Sequence, residues 1–154
     1  MNRIIISVGS NINPRKNIRR SIQLLSHVVK IEKKSNIWIT EAYGDDGPDF
    51  LNMALLISTE FDADYLKTTI LTKIESDLKR VRTGDKYAPR TIDLDIIIFN
   101  GEILDNDLWT KVFLALPISE IEPNILIPNS GKTLLEIAQD LKRSTRVKRF
   151  ALDA

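Results

Sequence analysis

Residues Thr91 to Phe99 read Thr-Ile-Asp-Leu-Asp-Ile-Ile-Ile-Phe and run directly into Asn100-Gly101. The β-branched run calls for a strand, and Asn-Gly is the strongest short signal for a two-residue hairpin, so Glu102 to Leu104 is expected to return antiparallel. Side chains alternate along a strand, which puts Asp93 and Asp95 on one face with α-carbons about 6.5 Å apart. Ile92, Leu94, Ile96 and Ile98 are expected on the other face. Ile97 and Phe99 would continue the acidic face as apolar positions, so the carboxylates start near water and the strand then enters a core. Any fold for this chain must therefore contain a sheet that is buried on one side and open at one end on the other.

Two carboxylates at that spacing suit one or two hard cations such as Mg²⁺, which take oxygen ligands and keep substrate phosphates in their shell. An exposed edge strand would carry the same Asp-x-Asp pattern with no metal at all. The preceding run, Arg80-Val-Arg-Thr-Gly-Asp-Lys-Tyr-Ala-Pro-Arg90, favours the metal. It gathers Arg80, Arg82, Lys86 and Arg90 around a Gly-Asp turn signal, and Arg90 stands three residues before Asp93, where it can hold a phosphate. Cations beside carboxylates match the needs of a metal-bound polyphosphate.

Upstream, Ile4 to Val8 is an apolar β-branched run that ends at Gly9-Ser10-Asn11, a buried strand entering a turn. Asn13-Pro14 starts a helix, with Ile18, Ile22, Leu25 and Val29 on one face. Ile31 to Thr40 reads as a second strand, and the loop Glu41 to Asp49, rich in Gly, Pro and Asp, separates it from a third, Phe50 to Ser58. Asp62 or Asp64 can cap a second helix carrying Leu66, Ile70, Ile74, Leu78 and Val81 at helical spacing. Thr133 can cap a last helix, and a basic tail from Lys142 to Arg149 closes the sequence. The order β-α-β-β-α-β is that of an α+β, ferredoxin-like sheet, mainly antiparallel and flanked by helices.

The 154 residues fit a single domain, 1–154, burying about 68–70% of its unfolded surface. With 22 basic and 21 acidic residues, nothing global points to nucleic acid or an anionic membrane. The absence of cysteine excludes disulfides and thiolate metal sites. The N-terminal apolar run is too short for a signal peptide, so a cytoplasmic protein is the expectation. Ser130-Gly-Lys-Thr133 imitates the end of a P-loop, but Leu126 occupies the required upstream glycine position, so a turn and a helix cap are expected there. His27 has no neighbouring ligand for zinc.

The chain resembles the 6-hydroxymethyl-7,8-dihydropterin pyrophosphokinase family of folate synthesis over nearly its whole length. In order, the matching pieces are Val8-Gly-Ser-Asn11, Thr40-Glu41 before a glycine loop, Pro48-Asp-Phe-Leu-Asn52, Ile74-Glu75, Arg80-Val-Arg82, Pro89-Arg-Thr-Ile-Asp-Leu-Asp95, and Phe113 with Pro117. The resemblance implies a ferredoxin-like α+β fold and transfer of the β,γ-diphosphate of ATP to the pterin hydroxymethyl oxygen, leaving AMP. It implies that Asp93 and Asp95 bind two Mg²⁺ ions, and that Arg80, Arg82 and Arg90 neutralise phosphate charge. ATP would further meet Thr72, Tyr87, Ile96 and Lys111. Phe50 and Phe113 would sandwich the pterin, with Asn52 on its ring edge and Thr40 and Tyr43 completing that edge through backbone contacts.

Taken alone, Phe50 and Phe113 read equally as core side chains. Asn52 is harder to place so, because an amide buried in an apolar strand needs partners and a heterocycle supplies them. The sequence also departs from the family pattern. Tyr87-Ala88 replaces Trp-Gly, Lys79 stands where glycine is common, and the stretch Leu104 to Val112 is shorter, with Lys111 where an arginine is usual. That shortening supports a second reading, namely a pterin or nucleotide binder without turnover. Either way the expected partners are small molecules, on a monomer.

Overall fold

The computed structural model describes residues 1–40, 48–79 and 91–150. Its strands are β1 (Asn2–Ser10), β2 (Lys30–Lys34), β3 (Ile37–Thr40), β4 (Phe50–Thr59), β5 (Asp93–Phe99), β6 (Glu102–Ile103) and β7 (Val147–Phe150). The helices are α1 (Pro14–Ser26), α2 (Ala63–Tyr65, Leu66–Leu71 and Thr72–Asp77 in succession), α3 (Val112–Ile121) and α4 (Leu134–Ser144), with a short 3-10 turn at Asn106–Trp109. The sheet order is β6-β5-β1-β4-β3-β7, every pairing is antiparallel, and β2 pairs with β4. With β2 and β3 taken as one interrupted strand, β5-β1-β4-β3 is the expected ferredoxin-like core.

The expected strand from Ile31 to Thr40 is broken for a local reason. Ser35 donates its N–H to the Ala54 carbonyl, and its Oγ accepts from the Ala54 N–H, at 3.0 and 2.8 Å. A side chain thus replaces a ladder carbonyl, and the strand restarts at Ile37.

Each face of the sheet carries its own core. Ile4, Ile6, Val8, Leu55 and Ile57 pack with Ile18 and Leu25 of α1 and Leu66, Leu71 and Ile74 of α2. Ile5, Ala54, Leu56 and Ile98 pack on the opposite side with Val112, Ala115 and Ile118 of α3 and Leu134 and Ala138 of α4. The expected alternation along β5 fails at one point. Ile5 faces Ile98 and Ile6 faces Ile96, so Ile97 is an extra residue, and the bulge reverses the parity of the residues after it. Ile98, expected opposite the aspartates, joins Ile97 in the α3/α4 core, while Phe99 turns to the α1/α2 core.

Local signals elsewhere act as expected. Asn100 and Gly101 take φ values of 49° and 84°, the pair of positive angles that a tight hairpin between twisted strands requires. Asp62 caps α2 by accepting from the Tyr65 N–H at 2.8 Å. Thr133 and Glu136 form a reciprocal capping box on α4. Gly131, at φ 72°, lies in the turn before it. The basic tail ends α4 and then adds β7 to the edge of β3, with its lysine and arginine side chains exposed. No helix among the described residues is long and apolar enough to cross a membrane.

Candidate active site

One cross-strand row organises the α3/α4 face. Asp93 lies opposite Gly9, Gly9 opposite Asn52, and Asn52 opposite Trp38, on β5, β1, β4 and β3 respectively. Directly paired residues share a face, so these four side-chain positions stand side by side. Asp95, opposite Ser7, is on the same face one step along, as is Phe50, opposite Thr40. Two strand spacings put Asp93 and Asn52 about 10 Å apart. That is roughly the span of a bicyclic heterocycle with a one-carbon arm.

Gly9 makes the row possible. A Cβ there would sit 2.7 Å from Asn52 Oδ1 and 3.8 Å from the Phe50 ring, so only glycine leaves room for the amide over β1. Asn52, 4% exposed, donates from Nδ2 to Thr40 Oγ1 at 2.6 Å. Among the described residues its Oδ1 takes no protein donor. Phe50 is half-buried beside it. The sequence quoted Gly9 only as part of a motif; its role comes from a glycine at the end of an otherwise β-branched strand, where a neighbour can approach closely.

The two residues after Gly9 tie in the approaches to the site. Ser10 Oγ lies 2.5 Å from the Thr91 carbonyl, and Asn11 Nδ2 donates to the Pro48 carbonyl at 3.1 Å. Both side chains are buried.

Asp93 is half-exposed and Asp95 exposed, so water and a small ligand reach both. Among the described residues no group of three or more His, Cys, Asp or Glu side chains forms a metal site. A pair of carboxylates in a wet position fits Mg²⁺, which is commonly held by one or two carboxylates with the remaining positions filled by water and phosphate oxygens.

The strand bearing them is steadied from its free edge. β6 pairs with Ile98 and Phe99, so among the described residues no strand lies on the outer edge of β5 from Asp93 to Ile96. There Glu75, 3% exposed on α2, accepts from the Leu94 N–H at 3.0 Å. A π-helical turn at Leu66–Leu71 explains how Glu75 arrives. It inserts one residue, so Leu71 rather than Ile70 falls beneath Leu66, and Glu75 joins Ile74 on the buried side. The expected stripe at regular α-helical spacing missed this phase shift.

Of the other residues singled out by the sequence, Phe113 lies on the first turn of α3, half-buried against the same core as the row. Pro117, four residues on, has no N–H for the Phe113 carbonyl. Lys111 immediately precedes α3 and is half-buried. The short stretch before it is compact, with Asp105 capping the 3-10 turn and Leu108 fully buried. Thr72 and Ile96 are not on the aspartate face. Thr72 is exposed on α2 and bonds back to the Lys67 carbonyl, and the Ile96 side chain packs toward the α1/α2 core. Tyr43, Arg80, Arg82, Tyr87 and Arg90 lie outside the described residues.

The model of the 7,8-dihydro-6-hydroxymethylpterin-pyrophosphokinase family matches residues 5–123. The chain belongs to that family. It is 34% identical over 128 residues to the 2-amino-4-hydroxy-6-hydroxymethyldihydropteridine pyrophosphokinase of Bacillus subtilis, covering 75% of each chain. The enzyme of the same name from Aquifex aeolicus is 30% identical over 145 residues, covering 86% of this chain and 88% of the relative. That of Synechocystis is 28% identical over 148 residues, covering 89% and 75%. The family match takes in the whole row from Asp93 to Trp38, together with Phe50, Glu75 and Phe113, whereas α4 and β7 lie beyond it.

Proposed function

We propose that the protein transfers the β,γ-diphosphate of ATP to the hydroxymethyl oxygen of 6-hydroxymethyl-7,8-dihydropterin in folate synthesis, acting as one catalytic unit over residues 1–154. The alcohol oxygen forms a bond to the β-phosphorus, the bond from that phosphorus to the α,β-bridging oxygen breaks, AMP leaves with that oxygen, and the alcohol proton is released to solvent. The observation that carries the reading is the row itself. It sets the Asn52 amide on β4 about 10 Å from the Asp93 carboxylate on β5, with Asp95 on the same face, which supports a heterocycle at one end and a metal-bound phosphate at the other.

The flat pterin stacks between Phe50 and Phe113, and Asn52 presents its Oδ1 and its second amide hydrogen to the ring edge. Thr40 and Tyr43 complete that edge. Asp93 and Asp95 would hold two Mg²⁺, which supply charge to the phosphate oxygens and the attacking alcohol when bound. Arg80, Arg82 and Arg90 neutralise charge on the phosphates. ATP lies along the free edge of β5, where alternation of the ladder turns the Ile96 peptide groups outward, with Thr72, Tyr87 and Lys111 around it. Family membership favours turnover over a role in binding alone.

AMP release from ATP, measured with and without the pterin alcohol and with and without Mg²⁺, tests the proposal. Release is expected only when both are present. If the wild-type protein yields no AMP above an Asp95→Ala control, the activity is refuted.

A further inference from the structure

A carboxylate outside this row ties its β3 end to the helix that carries Phe113. Glu120, near the end of α3, accepts from Trp38 Nε1 at 2.9 Å, from the Asn36 N–H at 3.2 Å and from Asn36 Nδ2 at 2.5 Å. Trp38 is 8% exposed and stands opposite Asn52 in the β3/β4 register. Lys142 of α4 places its ammonium 5.0 Å from the indole centroid, a cation–π contact on the same side chain. The indole is thus fixed by Glu120, by Lys142 and by the sheet.

Phe113 and Glu120 are seven residues apart on α3, which is two turns, so they project from nearly the same side about 10 Å apart along the axis. One end of the helix carries a wall of the proposed heterocycle slot. Its other end is bonded to the start of the strand whose last residue, Thr40, accepts from Asn52. Within α3, Pro117 has no N–H to give the Phe113 carbonyl. Glu120 supplies a fixed point at the far end.

We infer that Glu120 is a positioning residue for the pterin slot: through Trp38 and Asn36 it seats α3 on β3 and sets the gap between Phe113 and the Asn52 floor. The inference rests on the activity reading above for the identity of the ligand. It assigns Glu120 no contact with substrate or phosphate.

The test compares Glu120→Ala and Glu120→Gln in a Trp109→Phe background, where Trp38 is the sole indole. Binding of 6-hydroxymethyl-7,8-dihydropterin and of Mg-ATP is read by fluorescence titration and, separately, by KM and kcat. Glu120→Ala is expected to weaken pterin binding and raise its KM about tenfold, the equivalent of one charge-assisted hydrogen bond, while the Mg-ATP values stay within about twofold. It should also shift the Trp38 emission. Glu120→Gln keeps an acceptor for Trp38 Nε1, and Asn36 can turn its amide to meet the new one, so pterin binding should return to within about threefold of wild type. Unchanged pterin affinity in Glu120→Ala overturns the inference. So does equal weakening of both ligands, which would mark a general structural role. Because binding is read without turnover, wild-type protein that binds pterin but releases no AMP refutes the activity alone, and protein that binds no pterin refutes both.

Discussion

Asn52 Nδ2 donates to Thr40 Oγ1 across 2.6 Å, while the Oδ1 of the same amide occupies the space that a side chain on Gly9 would need. The amide is therefore gripped from both neighbouring strands, its donor end by β3 and its acceptor end by the bare backbone of β1. A ligand edge arriving on this face meets hydrogen-bonding groups already oriented, so little entropy is lost in ordering them.

Gly9→Ala fills that space. The new Cβ would approach Oδ1 to 2.7 Å, so Asn52 must turn away or β1 and β4 must part. Overpacking of this kind costs about 1–3 kcal/mol. The expected result is a lower melting temperature together with a raised KM for the pterin. A variant with wild-type melting and wild-type pterin KM would show that the amide has room the geometry does not give it.

Asn52→Ala separates recognition from packing at the same place. It removes the amide proposed to meet the ring edge and leaves Thr40 Oγ1 without its donor, at a stability cost of about 1 kcal/mol. Loss of two polar contacts to the ligand should raise the pterin KM by about tenfold to a hundredfold, with the ATP KM little changed. Steady-state kinetics with each substrate varied in turn is the measurement. An ATP effect as large as the pterin effect would place Asn52 elsewhere in the mechanism.

Asp95→Asn should leave the fold intact, because the residue is exposed and its strand is held by β1 and by Glu75. Replacing a charged oxygen by an amide removes a ligand for a hard cation. We expect kcat to fall by about 10²–10³, the usual cost of losing one preorganised charge at a reacting phosphate or oxyanion. Circular dichroism and thermal melting should match wild type. Activity within a fewfold of wild type would exclude Asp95 from the metal centre.

Much of this arrangement was legible from residue pattern because its causes are local. Asn100-Gly101 dictates the hairpin, Pro14 starts α1 and Thr133 caps α4 whatever the rest of the chain does. What the pattern could not give depends on partners distant in sequence or on one-residue insertions. The Ile97 bulge moved Ile98 and Phe99 to faces opposite those expected, yet left Asp93 and Asp95 together because it comes after them. The π turn is invisible to a search at helical spacing, since Leu66, Ile70 and Ile74 satisfy that spacing equally well. Thr72 and Ile96 came from family likeness alone, and neither is on the aspartate face: Thr72 is exposed on α2 and the Ile96 side chain packs toward the α1/α2 core.

Glu75 offers the sharpest test of how that edge is maintained. Its carboxylate receives the Leu94 N–H, and Leu94 is the residue between the two aspartates. Glu75→Ala strands a buried donor, at about 1–3 kcal/mol, or a melting decrease of roughly 2–12 °C for a chain of this size. It should also depress kcat beyond what lost stability explains, because Asp93 and Asp95 take their spacing from the backbone on either side of Leu94. Glu75→Gln retains an acceptor oxygen and should recover most of both losses. Deletion of Thr69 makes Leu71 the fourth residue after Leu66, so a regular α-turn still sets Leu71 beneath Leu66 and Glu75 against β5, and this variant should keep melting and kcat closer to wild type than Glu75→Ala does. If melting falls in Glu75→Ala while kcat at saturating substrates stays at the wild-type value, the contact stabilises the edge without governing the aspartates.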